Sequence, residues 1–528
     1  MDSITQNDKS DVLQSMLKES TDRFLTEYRK GATDFSNFAT ICSRFLQNLP
    51  DPPLEIIWFY SALASHSAKL TAQKSSNHVF VAKDSFQLLV SCSCSCNAVK
   101  KIAVLAPVIY ELHSLVSEGK RWTNEIDSFL EVIVSYISIC SGANFDENEE
   151  FGALSSCLVD LVRVWLVENV GESCKFGEEL RVFFPLVSDG IIKRIVSEGC
   201  GIGYLAGIVM TEAFLLRSCL KFRLGISWTE LEKELRGWAV EMITAFRNYY
   251  FVDALLKMLL EPTLSVSTIL NSEDEVFLRN ILYDTAMTVD YSFLGPQKGI
   301  HLPDLCLKNL AITWLFVADN AIQFLRDNGN QSKVLSCLIA FSASCLPSQL
   351  IKWVTCQPGI ESETSKPKVS TPLALINWLL TLEDQGVRVF DSDTSKMYAK
   401  TAIGKSKIEH GLSIRPEGKN LIESHFSHCS NEVKTDDKVD GDLEMLDSEG
   451  AMLLAAPRLL KAVETYGTRK RKDGRKDEED KQVKFVKCNI NDNLVAEKVS
   501  PLEYDDALNS GSEVDNPVSD EATEYMEQ

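Results

Sequence analysis

Apolar residues recur with the period of an α-helix through most of the first 390 residues of this chain. The clearest predicted helices are residues 11–29, 53–68, 122–139, 151–168, 228–246 and 303–326. In the fifth of these, spacings of three and four separate Leu231, Leu235, Trp238, Met242 and Phe246. This spacing puts the five side chains on one stripe of a helix, which must be covered by other helices.

Helix boundaries support the same interpretation. Ser227 precedes the fifth helix and Glu230 follows three residues later, as in an N-terminal capping box. Strand signals are few and scattered, at residues 78–82, 387–391 and 483–487. Because a doubly wound α/β domain needs regularly alternating strands, the sequence predicts an all-α fold.

Successive predicted helix pairs are separated by breaks and span about 35 to 45 residues each, with no long intervening loop. In this respect the chain resembles the α-solenoids of armadillo and HEAT type, at the level of architecture. No consensus repeat aligns from one pair to the next, and a compact multi-helix fold would show similar periodicity. The resemblance implies an irregular helical-repeat body in which each pair buries one face against the next.

The composition divides the chain into three parts. Residues 1–390 form the predicted body, 391–430 form a polar transition segment, and 431–528 form an acidic tail. The tail holds about 25 acidic and 14 basic side chains, roughly half of the net charge of −21. Within it, residues 443–466 can form one amphipathic helix, and the rest, including 500–528, has the composition of disorder.

Charge, targeting signals and cysteine content restrict the compartment and the partners. A net charge of −21 argues against direct binding to nucleic acid or to anionic membranes. The first ten residues lack a secretory apolar core, and the apolar windows 199–216 and 307–325 contain charges at Glu212, Lys308 and Asp319. We therefore expect no membrane span, and we expect the fifteen cysteines to be reduced thiols of a cytosolic or nuclear protein.

One basic cluster interrupts the acidic tail. It consists of Arg469, Lys470, Arg471, Lys472, Arg475 and Lys476. This cluster resembles a monopartite nuclear localisation signal of the kind that importin-α binds. The alternative is a solvated charge run balanced by the acidic residues 477–480. The signal predicts residence in the nucleus, with the cytoplasm as a second compartment.

A second short motif follows the basic cluster. Residues 481–485 resemble the RVxF docking motif of regulators of type 1 protein phosphatase, with Lys481 upstream of Val483 and Phe485. Such a motif adds a strand to a sheet edge while its two alternate apolar side chains enter pockets. The alternative is a short strand or an apolar anchor.

Two glycine-containing segments resemble nucleotide-binding loops. Residues 399–406 fit a degenerate phosphate loop in which Ala399 replaces the first glycine, with Lys405 and Ser406 at its end. Residues 201–206 contain a GxGxxA match typical of dinucleotide loops. Neither follows a convincing buried strand, so we favour a lysine-rich surface loop at 399–406 and close helix packing at 201–206.

Two groups of candidate metal ligands lack the spacing of known zinc sites. Cys92, Cys94 and Cys96 alternate with serine, and the favoured interpretation is a helix end or turn. The second group consists of His425, His428 and Cys429, with no complementary ligand pair. Whether either group binds metal stays open.

The sequence contains no recognisable catalytic triad or nucleophile elbow, so we predict no enzymatic activity, no cofactor and no resident metal. The leading hypothesis is a non-enzymatic nuclear scaffold or adaptor that binds proteins through its helical surface and its tail motifs. The alternatives are a nucleotide-binding enzyme or switch that uses residues 399–406, and a targeting subunit of a type 1 protein phosphatase.

Overall fold

The computed structural model of the 528-residue chain describes residues 6–72, 78–117, 124–141, 158–167, 177–294, 304–356 and 370–412. The chain divides into two units, Met1–Asn431 and Glu432–Gln528. All of the described residues belong to the first unit.

The described residues form nineteen α-helices and two short 3₁₀ turns, without a β-strand. The first ten helices are α1 (Gln6–Arg29), α2 (Ser36–Asn48), α3 (Leu54–Ala72), α4 (His78–Cys92), α5 (Ala98–Ala103), α6 (Ala106–Ser117), α7 (Asn124–Ser141), α8 (Leu158–Trp165), α9 (Glu178–Phe183) and α10 (Asp189–Glu198). The others are α11 (Ile202–Lys221), α12 (Trp228–Phe246), α13 (Tyr249–Leu260), α14 (Ser272–Thr288), α15 (Asp304–Asp327), α16 (Gln331–Ala343), α17 (Cys345–Thr355), α18 (Pro372–Asp384) and α19 (Asp393–Leu412). The predicted all-α class is confirmed for this part of the chain.

Five of the six helices that periodicity predicted are present, with boundaries that differ by at most five residues. The sixth, predicted at 151–168, is present as Leu158–Trp165, and residues 151–157 and 168 lie outside the described residues. Helix α12 has the predicted bounds because both of its ends carry strong signals. Ser227 Oγ accepts a hydrogen bond from the Glu230 backbone N–H at 3.3 Å, and Arg247 ends the helix in the left-handed region at φ 46°. Of the predicted stripe, Leu231, Leu235 and Phe246 are buried; Trp238 and Met242 are half-buried.

Two predicted strands are wrong, and the third, at residues 483–487, lies outside the described residues. Residues 78–82 begin helix α4, since a short apolar run has no periodicity that separates strand from helix. Residues 387–390 form no helix or strand, and Asp391 lies in a bend. The Glu383 carboxylate instead accepts the backbone N–H groups of Val389 and Phe390 at 2.7 and 3.1 Å.

Helix α11 is the centre of the described unit. It packs against α5, α6 and α7, which precede it in the chain, and against α12 and α13, which follow it. Every residue from Gly203 to Lys221 is buried. A helix that is apolar on all sides needs such complete coverage.

The two glycines of α11 set how closely α13 approaches. A Cβ atom on Gly203 would lie 2.7 Å from Tyr250 Cε2, and one on Gly207 would lie 2.6 Å from the Tyr250 backbone carbon. Distances this short leave no room for a methyl group, so the contact depends on glycine. The predicted close helix packing at residues 201–206 is confirmed.

Charged side chains of α11 are paired at the edges of the helix. Arg217 forms ion pairs with Asp127 and Glu131 of α7, the second at 3.3 Å. Lys221 Nζ lies 2.6 Å from a Glu234 carboxylate oxygen of α12. These contacts satisfy charges whose burial alone would destabilise the fold.

Two described helices, Ile202–Lys221 and Leu305–Asp327, are long and apolar enough by length and composition to cross a membrane. Helices α16 and α17, bent by 47° at their junction, pass the same test together. The sequence prediction is that the charges in windows 199–216 and 307–325 leave them too short to span a membrane. By length and composition, the helices that contain most of these windows nevertheless pass the test. In this fold, 94% and 67% of the two windows are buried against other helices.

From α11 to α16, helices two positions apart along the chain pack against each other. Helix α13 contacts both α11 and α15, while α14 contacts both α12 and α16. Sequence neighbours also touch, as in α13 with α14 and α15 with α16. Each helix of this segment thus contacts at least one neighbour along the chain and at least one helix two positions away.

Candidate functional site

The motifs predicted beyond residue 412, in the transition segment and the tail, all lie outside the described residues. These are the basic cluster at 469–476, the docking motif with Lys481, Val483 and Phe485, the helix at 443–466 and the group His425, His428 and Cys429. The candidate site is therefore built from residues of the helical body.

The predicted phosphate loop at 399–406 lies inside a helix. Residues Asp393–Leu412 form α19 without interruption, and Thr401 Oγ1 donates to the Met397 carbonyl oxygen at 2.9 Å, one turn earlier. Ala399 is fully buried. A phosphate loop needs unpaired backbone N–H groups that converge on the ligand, and a helix interior uses those groups in its own hydrogen bonds. The interpretation of this segment as a loop is wrong.

The GxGxxA segment also lacks the surroundings of a dinucleotide site. Helix α10, not a strand, precedes it, and Gly201 is the residue before the first turn of α11. Because Gly203 contacts Tyr250 instead of facing an open cleft, the segment serves helix packing.

The three alternating cysteines lie where α4 ends and a turn begins. Cys96 is buried, Cys92 is half-buried and Cys94 is exposed, so the three thiols face different surroundings. Burial raises the pKa of the Cys92 thiol to about 11 and that of Cys96 to about 12. Among the described residues, no group of three or more His, Cys, Asp or Glu side chains is arranged to hold a metal ion.

An open groove at the starts of α12 and α14 and the end of α15 is the candidate site, here called the Trp228 groove. Its volume is about 450 Å³. It is lined by Trp228, Glu273, Val276, Phe277, Asn280, Phe324, Leu325, Asn328 and Asn330. The volume lies within the range of known ligand sites, which is roughly 300 to 1,000 Å³.

Helix starts and stops place these side chains together. Asn271 Oδ1 accepts the Asp274 N–H at 2.8 Å and begins α14, so Glu273, Val276, Phe277 and Asn280 follow on one face at helical spacing. Ser227 begins α12 in the same way and makes Trp228 its first residue. The two caps therefore place the first turns of both helices at the groove.

The end of α15 supplies the opposite wall. Gly329 adopts φ 68° just beyond the helix, a conformation that glycine takes without strain. Asn330 then begins α16, because its Oδ1 accepts the Lys333 N–H at 3.1 Å. The sharp turn brings Asn328 and Asn330 to the groove beside Phe324 and Leu325.

An aromatic cluster forms one side of the groove. The Trp228 and Phe277 ring centroids lie 4.6 Å apart at an angle of 69°, and Phe222 lies 6.4 and 5.9 Å from those two rings. Edge-to-face contacts of this kind hold aromatic rings in fixed orientations. Trp228 nevertheless is 52% exposed, and its neighbour Val276 is 44% exposed.

Three asparagines add hydrogen-bonding groups. Asn328 Nδ2 donates to the Phe324 carbonyl oxygen at 2.8 Å, and Asn330 Oδ1 caps α16. The half-buried Asn280 side chain makes no hydrogen bond to any other described residue. Each amide has two donor hydrogens and one acceptor oxygen, so all three retain unused capacity toward a ligand.

The groove is acidic. Among the described residues that line it, Glu273 is the single charged one, and it is exposed. Burial, and second the charge of Glu273, raise the pKa of the adjacent Asp274 carboxyl. The nearby Lys333 is already paired with Glu232 at 2.7 Å. A ligand that enters the groove therefore meets apolar rings, amides and negative charge.

Sequence reasoning did not find this site. Its residues come from three segments that are distant in sequence, and each carries only ordinary helix signals. Comparison with known proteins adds no further constraint, because no protein family, no curated protein and no solved structure matches this chain.

Proposed function

We propose that this protein is a non-enzymatic nuclear scaffold or adaptor. It binds partner proteins through exposed surfaces of its helical body and through short motifs in residues 431–528. The observation that carries the proposal is the Trp228 groove, in which a half-exposed tryptophan lies beside unused amides and a carboxylate. Tryptophan in such a position is typical of the residues that dominate protein interfaces.

We propose further that the body is an irregular α-solenoid. The supporting observation is the alternating packing of α11, α13 and α15 in one row and α12, α14 and α16 in a second. In a solenoid each helix pair covers the next, so this pattern is the one expected. Binding is then distributed along exposed helix faces, and the Trp228 groove is one such position.

The tail is proposed to direct the scaffold. Arg469 to Lys472, with Arg475 and Lys476, supplies nuclear import through importin-α. The segment with Lys481, Val483 and Phe485 supplies a dock for a type 1 protein phosphatase, and in that case the protein is a targeting subunit of the enzyme. The acidic residues on either side make direct binding to nucleic acid unfavourable.

The experiment that tests the proposal is purification of the tagged full-length chain from its native cells, followed by quantitative mass spectrometry. Three variants are compared with the wild type: Trp228→Ala, Val483→Ala/Phe485→Ala, and alanine at Arg469 to Lys472. Phe80→Ala is the matched control, because Phe80 is an aromatic residue of α4 that is 60% exposed outside the groove.

Each variant has a distinct expected result. Trp228→Ala loses a defined subset of nuclear partners that Phe80→Ala retains, and the double variant loses a phosphatase alone. Alanine at the basic cluster moves the protein from the nucleus to the cytoplasm in fluorescence microscopy. Recovery of the wild-type chain without partners, or a cytoplasmic wild type, contradicts the scaffold proposal.

A further inference from the structure

We propose that the Trp228 groove binds an extended peptide segment of a partner protein in which a Lys or Arg side chain stands beside a large apolar side chain. This inference rests on the proposed scaffold function and names the class of partner for that site.

The aromatic side of the groove favours a cation together with an apolar group. Trp228, which is 52% exposed, and Glu273 line the same groove. An ammonium or guanidinium group gains attraction from an aromatic face and from a carboxylate at once. Val276, which is 44% exposed, supplies apolar surface beside these groups, where an aliphatic or aromatic side chain loses contact with water.

The body already uses cations on aromatic rings. Lys221 Nζ lies 5.7 Å from the Trp238 ring centroid, and Lys308 Nζ lies 4.4 Å from that of Trp353. In both cases a carboxylate completes the arrangement, Glu234 at 2.6 Å and Asp391 at 2.7 Å. Trp228 with Glu273 repeats the ring and the carboxylate on an open surface, and the incoming peptide supplies the cation.

The asparagines favour a peptide in an extended conformation. A side-chain amide has the same donor and acceptor groups as a peptide unit, so it can pair with main-chain N–H and C=O groups whatever the sequence. A helical ligand satisfies its own backbone groups, whereas an extended segment leaves them available to Asn280, Asn328 and Asn330. Amides on two walls of the groove therefore select an unfolded stretch of chain.

The charge of the groove determines whether an acidic or a basic peptide binds. Glu273 is the charged lining residue, Asp274 follows it, and Lys333 is neutralised by Glu232. An acidic peptide would meet repulsion at this surface, and a basic one would be attracted over a distance of about a Debye length. Affinity should accordingly fall as the salt concentration rises.

The test uses the full-length protein and a phage-displayed library of random 12-residue peptides as the probe. Enriched peptides are then synthesised with a fluorescent label, and their affinities are measured by fluorescence anisotropy. We expect enriched sequences to contain Lys or Arg next to a large apolar residue. We expect Trp228→Ala to weaken their binding about thirtyfold, the loss that marks a hot-spot residue.

Two further variants separate the groove from the fold. Glu273→Lys reverses the charge at an exposed position, so it should select acidic peptides instead of basic ones and should reverse the effect of salt. Phe80→Ala should bind as the wild type does. The melting temperature of each variant is measured, and a Trp228→Ala protein that unfolds leaves Glu273→Lys as the decisive variant.

The results also distinguish this inference from the scaffold proposal. No enrichment, enrichment of acidic peptides by the wild type, or unchanged selection by Glu273→Lys overturns the ligand class. If Trp228→Ala still loses partners in cells under those outcomes, the scaffold proposal stands with another ligand. If basic peptides bind the groove while the chain purifies from cells without partners, the ligand class stands and the scaffold proposal fails.

Discussion

Glu212 gives a sharp test of how the core of this protein is built. Its side chain is 1% exposed in the middle of α11, and Oε1 accepts the Leu186 backbone N–H at 3.0 Å. No described residue forms a hydrogen bond with Oε2. Burial raises the pKa of this carboxyl to about 8, against the smaller lowering effect of the Leu186 N–H. Most of the folded protein therefore holds this carboxyl in its neutral form at pH 7.

The sign of the resulting pH dependence follows from the two protonation states. Between the ordinary glutamate pKa of 4.5 and the folded value of about 8, the folded state holds a proton that the unfolded state releases. The free energy of unfolding therefore falls by about 1.4 kcal/mol for each pH unit in this window. At pH 7 the accumulated loss from this group is about 3 kcal/mol.

Glu212→Gln replaces the titratable carboxyl by an amide that does not titrate. The amide still has an oxygen that can accept the Leu186 N–H. We expect the variant and the wild type to have equal free energies of unfolding near pH 4.5. From there to pH 8, the free energy of unfolding of the variant should exceed that of the wild type by about 1.4 kcal/mol more for each pH unit, the slope of one titrating group. Urea denaturation at pH 5, 6, 7 and 8 measures the difference. Glu230→Gln, at an exposed position, is the control, and its profile should run parallel to that of the wild type. A parallel profile for Glu212→Gln would refute the reasoning.

Two buried contacts elsewhere in the body lead to further predictions. Gly207→Ala should destabilise the protein by about 1 to 3 kcal/mol, because the added methyl group would lie 2.6 Å from the Tyr250 backbone. Gly237→Ala should stabilise the protein by up to about 1 kcal/mol, because no atom lies within 4 Å of the added methyl group. Thermal melting of the two variants checks the pair, and equal shifts would contradict it. The Nε2 atom of His113 lies 3.1 Å from Thr268 Oγ1, and burial lowers the pKa of this imidazole to about 4. The free energy of unfolding should therefore fall as the pH drops from 6.5 to about 4. Nuclear magnetic resonance of the labelled ring should show a neutral imidazole at pH 5, and a charged ring at that pH would contradict the assignment.

Helix content could be predicted from the sequence because it is a local property. Helix α12 had both a serine cap and a periodic stripe, and its bounds were confirmed. The run at residues 78–82 had neither, and the strand prediction there was wrong. Short apolar runs become helix or strand according to what covers them, which is information that the run itself does not contain.

The groove could not be predicted because its parts have no shared local signal. Trp228 is the first residue of one helix, Glu273 lies in the first turn of another, and Asn328 follows the end of a third. Only the packing of α12, α14 and α15 brings them together. The phosphate-loop interpretation failed for a related reason, since residues 399–406 match a loop by their letters but continue a helix.

The central position of α11 has a consequence for biosynthesis. Helix α5 ends at Ala103, and the α11 surface that covers it is complete only when Lys221 has been synthesised, about 120 residues later. At the usual rates of translation this interval lasts roughly 6 to 24 seconds. During that time the apolar face of α5 that α11 covers stays open to solvent, and the corresponding face of α7, which ends at Ser141, does so for about 80 residues of synthesis. Nascent chains shorter than about 220 residues should therefore need chaperones to stay soluble.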